Sequence, residues 1–202
     1  MNIDFDTAYH VDVICGVDEA GRGPLAGPVY AAAVVLRPKE AEGLLREGLD
    51  DSKRLSEAAR GRLEVEIQMR AAAWAVASAS VEEIETHNIL GATFLAMERA
   101  VAALSLTPKM ALVDGNRLPR GISVPCECVV KGDTLSPCIA AASVLAKVAR
   151  DRYMRELALL YPQYGFERHK GYGTALHYER LQMHGACPAH RQSFLHEKGA
   201  KR

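Results

Sequence analysis

The chain opens with two short apolar, β-branched runs, one through Val11, Val13, Ile14 and Val17 and the next from Val29 to Leu36. Such content favours strands. Pro24 and Pro28 punctuate what lies between, so the pattern predicts a hairpin-like pair over 11–18 and 29–36 joined by a glycine-rich loop. Residues 48–57, GLDDSKRLSE, read as a polar loop in which Ser56 is placed to cap a helix running to about Arg70. The stretch 71–80 is ambiguous: its alanines favour helix, whereas Trp74, Val76 and the serines permit a strand, and strand is the reading adopted. Leu90, Phe94, Met97 and Val101 recur at helical spacing and predict a helix over 88–104. A short buried strand, MALVDG, should end in Asp114 before a Gly115-Asn116 turn, and 122–130 reads as a further strand. Ser136-Pro137 offers a capping side chain followed by proline at the first helical position. That helix should stop at Tyr161, because the residue before Pro162 resists helical geometry. Along its polar side Lys147 is spaced to pair with Asp151, and Asp151 with Arg155. From Tyr164 onward a loop and one or two short helices are expected. There is no internal repeat or linker, so one α/β domain over 1–202 is expected.

Set into this pattern, the run Cys15-Gly16-Val17-Asp18-Glu19-Ala20-Gly21-Arg22-Gly23-Pro24 carries the most chemistry. Two adjacent carboxylates sit where the first strand is expected to end. Acids side by side in an apolar neighbourhood repel and lose hydration unless a cation or a proton settles them. A hard divalent metal is the simplest resolution. The loop behind offers bare backbone N–H groups and one guanidinium, both suited to phosphate or sugar. Asp114 closes the buried strand and Asp133 precedes the Ser136 helix, giving four acids at strand ends or strand-to-helix connections. Taken singly, Asp133 is also a helix-capping acid and Asp114 an ordinary turn residue. Together with Asp18-Glu19 they suit metal-dependent chemistry on a phosphate ester.

Other chemistries fit less well. Gly21, Gly23 and Gly27 give G-x-G-x-x-x-G, which is not the dinucleotide fingerprint, and no G-K-[ST] follows a glycine loop. Zinc would need Cys126, Cys128, His184, Cys187 and His190, but the single-residue gap of Cys126-Glu127-Cys128 puts its thiols on opposite faces of a strand. No nucleophile elbow supports serine or cysteine hydrolysis. The composition, 49% apolar and 25% charged, is that of a folded soluble protein, and the five cysteines read as reduced thiols in the cytoplasm. The N-terminus lacks a secretion signal and no apolar run is long enough to span a membrane. Net charge is zero, yet residues 147–202 hold 11 Lys and Arg against 5 Asp and Glu. That asymmetry suits a protein gripping a polyanion with its C-terminal quarter, and equally a helix with a solvated basic face.

In order along the chain, VDEAGRGPLAGPVYAAAVVL, DSKRLSE, LVDGNRLP, KGDTLSPCIAAASVLAKVARDRYM and HKGYGTALHYERLQMHGACPAHRQSF resemble bacterial ribonuclease HII, from about residue 12 to 194. The resemblance implies a ribonuclease H-like fold, a central mixed β-sheet flanked by helices, with a C-terminal part (about 164–202) over the substrate groove. It implies cleavage of RNA in RNA–DNA hybrids and 5′ to a single ribonucleotide embedded in duplex DNA, with Mn2+ or Mg2+. Carried over by position, Asp18, Glu19, Asp114 and Asp133 would be the metal-binding acids. Gly21, Arg22 and Gly23 would read the ribose 2′-OH, the group that separates RNA from DNA. Tyr172 would stack near the ribonucleotide–deoxynucleotide junction, and Lys53, Arg191 and Ser193 would contact phosphates. A monomer is expected. Two other classes stay open: a hybrid-binding protein without catalysis, and another nuclease or integrase of the same fold.

Overall fold

The computed structural model describes residues 1–199, and side chains through Leu195. After a short helix α1 (Asp4–Thr7), strands β1 (Ile14–Ala20) and β2 (Val29–Val35) form the expected hairpin. Helices α2 (Pro38–Arg46) and α3 (Glu57–Arg70) follow, then β3 (Ala73–Ala79) and α4 (Val81–Ala102). Strands β4 (Met110–Asp114) and β5 (Cys126–Val129) precede a 3-10 turn at Gly132–Thr134 and the long α5 (Pro137–Leu160). Three helices close the chain: α6 (Phe166–His169), α7 (Ala175–His184) and α8 (Gln192–Gly199). The five strands lie in the order β3-β2-β1-β4-β5. Pairing is antiparallel across β3, β2 and β1, and parallel from β1 through β4 to β5. The sheet is therefore mixed and carries helices on both faces.

Strand alternation decides which helix each β1 side chain meets. Cys15 and Val17 join Val29, Ala31 and Ala33 of β2 against Ala92, Ala96 and Met97 of α4. Ala32 and Val34 of β2 face the other way, against Leu44, Leu63 and Ile67 of α2 and α3 and the alanine-rich stretch Ala140–Ala142 of α5. Gly16 also faces α5, and there is no room for anything larger. A Cβ at Gly16 would sit 2.2 Å from the Cys138 carbonyl carbon and from the Ile139 nitrogen. The missing side chain lets the first turn of α5 rest on β1, which brings Asp133, just ahead of that turn, down to the end of the strand.

The cap signals act as expected. Ser56 Oγ accepts from Ala59 N–H at 3.2 Å, and Ser136 Oγ accepts from Ile139 N–H at 3.2 Å. Several expectations need correction. The helix expected over 88–104 is the second of two segments that meet at a kink at Asn88 (φ 56°); a first segment starting at Val81 was not expected, and the second ends at Ala102. Asn88 Oδ1 accepts from Leu90 N–H (2.9 Å) and Gly91 N–H (3.2 Å), so Asn88 caps the second segment while Ser80 caps the first. The strand expected over 122–130 shrinks to Cys126–Val129, because it pairs only with the four residues Ala111–Asp114 of β4 and Pro125 lacks a ladder donor. Arg155 does not pair with Asp151; it reaches Glu57 of α3 at 2.5 Å, and Asp151 is taken by Lys147 at 2.6 Å and Arg60 at 3.7 Å. The tail holds three helices rather than one or two. No helix among the described residues is long and apolar enough to cross a membrane.

Candidate active site

Asp18 and Glu19 lie inside the last third of β1, so the pleat sends them to opposite faces. Asp18 points to the α5 side. There it meets Asp114, at the end of the parallel neighbour β4, and Asp133 of the 3-10 turn, with one carboxylate oxygen of each within 4.8 Å of the others. Gly132 N–H donates to Asp114 Oδ1 at 2.7 Å, which locks the 3-10 turn to the end of β4. This is the one group of three or more potential metal ligands among the described residues. Glu19 stands outside it, on the α4 side, where Arg22 approaches to 3.5 Å. A cavity of about 310 Å³ opens on that side, lined by Glu19, Asp114, Arg22, Arg117, Phe94 and Met97 among others. Asp114 thus lies between Asp18 on one side of the strand and Glu19 on the other, and its charge acts on both.

The electrostatics mark a site built for a cation. Burial, followed by the charges of Glu19 and Asp114, pushes Asp18 well above the ordinary carboxylate range. Burial also raises Glu19, against the pull of Arg22. Asp114 is raised by burial and by Asp133, against the Gly132 N–H bond. One ammonium answers these acids: Lys53 Nζ lies 3.1 Å from Asp133 Oδ2. Burial opposes its charge, but the bond and charge of Asp133 hold its pKa above the usual lysine value. Oxygen-only donors with excess negative charge fit a hard divalent ion such as Mg2+ or Mn2+.

Beside the acids, residues 21–23 turn outward. Gly21 is buried with φ +99°, and a Cβ there would lie 2.0 Å from Arg150 Nε, so both the turn and the close approach require glycine. Arg22 and Gly23 are exposed, and neither backbone N–H has an acceptor among the described residues. Tyr172 stands next to them, 42% exposed, with its ring edge 3.9 Å from where a Gly23 Cβ would be.

Two arginines with no exposed surface back this corner. Arg150 donates to the carbonyls of Ala26 (3.2 Å), Pro28 (3.2 Å) and Lys170 (3.0 Å). Arg191 donates to those of Gly21 (2.7 Å), Arg22 (3.0 Å) and Gly27 (2.9 Å from Nε, 2.7 Å from Nη2). Arg191 is therefore not the expected phosphate contact: its donors already serve carbonyls, and no part of it reaches solvent. Ser193 is exposed, but its Oγ donates to Glu85 at 3.0 Å and its N–H to the same carboxylate at 3.2 Å, so an acid occupies the place of a phosphate. Lys53 keeps an exposed side chain.

Behind Tyr172 lies a row of buried histidines. The Tyr172 carbonyl is 3.0 Å from His177 Nδ1, His177 Nε2 is 3.1 Å from His190 Nε2, and Cys187 N–H donates to His190 Nδ1 at 3.0 Å. One assignment satisfies the row: His177 carries its proton on Nδ1 and His190 on Nε2, both rings neutral. Burial, reinforced by the neighbouring rings, lowers His177 to about 4. The zinc alternative finds no support, because Cys126 and Cys128 lie on β5 at the sheet edge while Cys187 and His190 pack in this cluster.

The Ribonuclease HII family model matches residues 15–197. The chain belongs to the ribonuclease HII family. A ribonuclease HII of Dechloromonas aromatica (strain RCB) is 58% identical over 184 residues, covering 91% of this chain and 91% of that protein. Another, from Burkholderia vietnamiensis (strain G4 / LMG 22486), is 56% identical over 196 residues, covering 97% of this chain and 88% of that protein. The crystal structure of ribonuclease H2 from Pyrococcus horikoshii OT3 superposes with a TM-score of 0.75 at 25% identity, covering 94% of this chain and all of that one. Family and fold agree with the geometry: a metal-dependent endonuclease built on a ribonuclease H-like mixed sheet. Sequence reasoning named the acids and the glycine loop. It gave no role to Arg150 or His177 and considered His190 only as a zinc ligand, because their contacts are made with residues distant in the chain.

Proposed function

We propose that the chain hydrolyses the RNA strand of RNA–DNA hybrids and cuts 5′ to single ribonucleotides embedded in duplex DNA, leaving 3′-OH and 5′-phosphate ends. One juxtaposition carries this reading: three carboxylates able to hold a hard cation adjoin an exposed glycine loop with unpaired backbone donors. Asp18, Asp114 and Asp133 would hold the metal on the α5 side, with Glu19 reaching toward Asp114 from the α4 side. When bound, Mg2+ or Mn2+ activates water and offsets charge on the leaving 3′-oxygen. The protein's own groups do the rest. The buried acids, raised in pKa while empty, draw the cation in; Lys53 orients Asp133; the Gly21-Arg22-Gly23 backbone takes the ribose 2′-OH. A backbone reader touches no base edge, so cutting should not depend on sequence. The Tyr172 ring beside the loop gives a flat surface for the sugar across the junction. The chain acts as a monomer in the cytoplasm.

A labelled duplex with one ribonucleotide, incubated with Mg2+ or Mn2+, tests the reading. A single cut with a 3′-OH end, blocked by chelator and missing on an all-DNA duplex, is the expected result. Binding that survives chelator without any cleavage would instead establish a hybrid-binding protein. A 2′,3′-cyclic phosphate end would refute attack by water.

A further inference from the structure

Gly21 and Arg22 share one unusual property: both of their carbonyls point into the protein, onto the same fully buried guanidinium. The backbone of the described residues contains no cis peptide bond. In a trans peptide the C=O of one residue and the N–H of the next point in opposite directions. Fixing the Gly21 carbonyl inward therefore fixes the Arg22 N–H outward, and fixing the Arg22 carbonyl does the same for the Gly23 N–H. Those are the two amides that lack an acceptor on the exposed side of the loop. Arg191 is itself held from two sides, its N–H donating to the Leu25 carbonyl at 2.8 Å and its guanidinium lying 5.2 Å from the Phe194 ring.

We propose that Arg191 is the positioning residue of the ribose reader: it pulls two successive carbonyls back and so presents the Arg22 and Gly23 N–H groups as a preset pair of donors to a ribose 2′-oxygen. This rests on the reading of residues 21–23 as the 2′-OH contact. A cation is the right group for the task. It stays charged when buried, its planar fork serves three carbonyls at once, and its charge polarises each peptide so that the opposite N–H becomes a better donor. An amide side chain in its place would hold fewer carbonyls and would not polarise them.

The test pairs protein variants with substrate variants. kcat/KM is measured, with Mg2+, on a duplex carrying one ribonucleotide and on the same duplex carrying a 2′-fluoro nucleotide there, a poor hydrogen-bond acceptor of similar shape. Wild type should strongly prefer the hydroxyl. Arg191→Gln should lose at least about tenfold on the ribonucleotide, the worth of one good hydrogen bond, and less than about threefold on the fluoro substrate. Arg191→Lys, which keeps the charge and fewer donors, should fall between. Equal losses on both substrates would mean a merely structural role and overturn the proposal. If wild type itself does not distinguish hydroxyl from fluorine, the loop reading fails and this proposal with it. Should both variants fold poorly, the amide resonances of Arg22 and Gly23 decide in the uncut complex formed with Asp18→Asn. They should move on adding the ribonucleotide duplex and stay put with the fluoro duplex, and no movement with a hydroxyl-selective wild type would overturn the proposal.

Discussion

The acid cluster and the glycine corner place their charged side chains in opposite ways. At the ends of β1 and β4 the carboxylates of Asp18, Asp114 and Asp133 converge, close enough to repel and held there by backbone packing. In the corner formed by residues 21–27 and 169–191, two arginines, Arg150 and Arg191, lie behind, fully buried, and the backbone of residues 21–23 faces outward. The first region stores electrostatic strain that a cation relieves. The second stores strain of the opposite sign, since burial and the charge of Arg150 lower Arg191 to about 9, but there the protein itself answers it: the donors of both arginines meet carbonyls, and the histidine row is satisfied by neutral rings. The first region leaves carboxylate charge for a ligand to neutralise, and the second leaves only the exposed backbone donors of Arg22 and Gly23.

That contrast is open to attack in four places. Asp18→Asn should lower kcat by about a thousandfold, several kcal/mol of transition-state stabilisation, while Tm holds or rises because a buried like-charge repulsion disappears. Thermal melts with and without Mg2+ should show a metal-dependent rise in Tm for wild type that the variant lacks. A marked fall in Tm of the metal-free variant would mean the cluster is not strained. Tyr172→Ala should cost roughly ten- to a hundredfold on a single embedded ribonucleotide and clearly less on a long hybrid, given the size of a base- or sugar-stacking contact. Equal losses would remove the junction role.

The third concerns pH. Unfolded His177 takes up its proton near pH 6.5 and folded His177 only near 4. Between those values the unfolded state binds more protons, so stability is fully present above about pH 6.5, falls as pH drops toward 4 and levels off below. The loss should be on the order of 1–3 kcal/mol, and His177→Asn should flatten that part of a Tm-against-pH curve. An unchanged slope would mean the row does not stay neutral as drawn. The smallest effect belongs to Arg155, on the same helix as Arg150 but exposed and paired with Glu57. Arg155→Ala should cost under about 0.5 kcal/mol by denaturant unfolding, and a larger loss would break the distinction between exposed and buried arginines on α5.

The sequence revealed the two regions unequally, for a physical reason. The acids follow a β-branched run or precede a capped helix, and both are local patterns. Ser56, Ser136 and Pro137 likewise announce their helices through neighbours in the chain. The first segment of α4 was missed although its signal is local: Ser80 and Glu83 have capping-box spacing, and Ser80 N–H donates to Glu83 Oε2 at 2.8 Å. Arg150 and Arg191 are another matter. Each bonds to carbonyls 20 to 170 positions away, and nothing local tells such an arginine from a solvated one. The charge asymmetry misled in the same way, counting both among the cations of the C-terminal quarter although neither adds to the surface field.

The division of Asp18 and Glu19 between the two faces of β1 has a consequence for how the site can change over time. Because side chains alternate one by one, inserting or deleting a single residue ahead of Asp18 would exchange the two acids between compartments without altering which residues are present. The same slip would move Gly16 off the surface where α5 rests and drive a Cβ into the Cys138 backbone. Parity along this strand is therefore fixed twice, once by the placement of the two acids and once by packing, and a length change in β1 is a lesion that no single compensating substitution repairs.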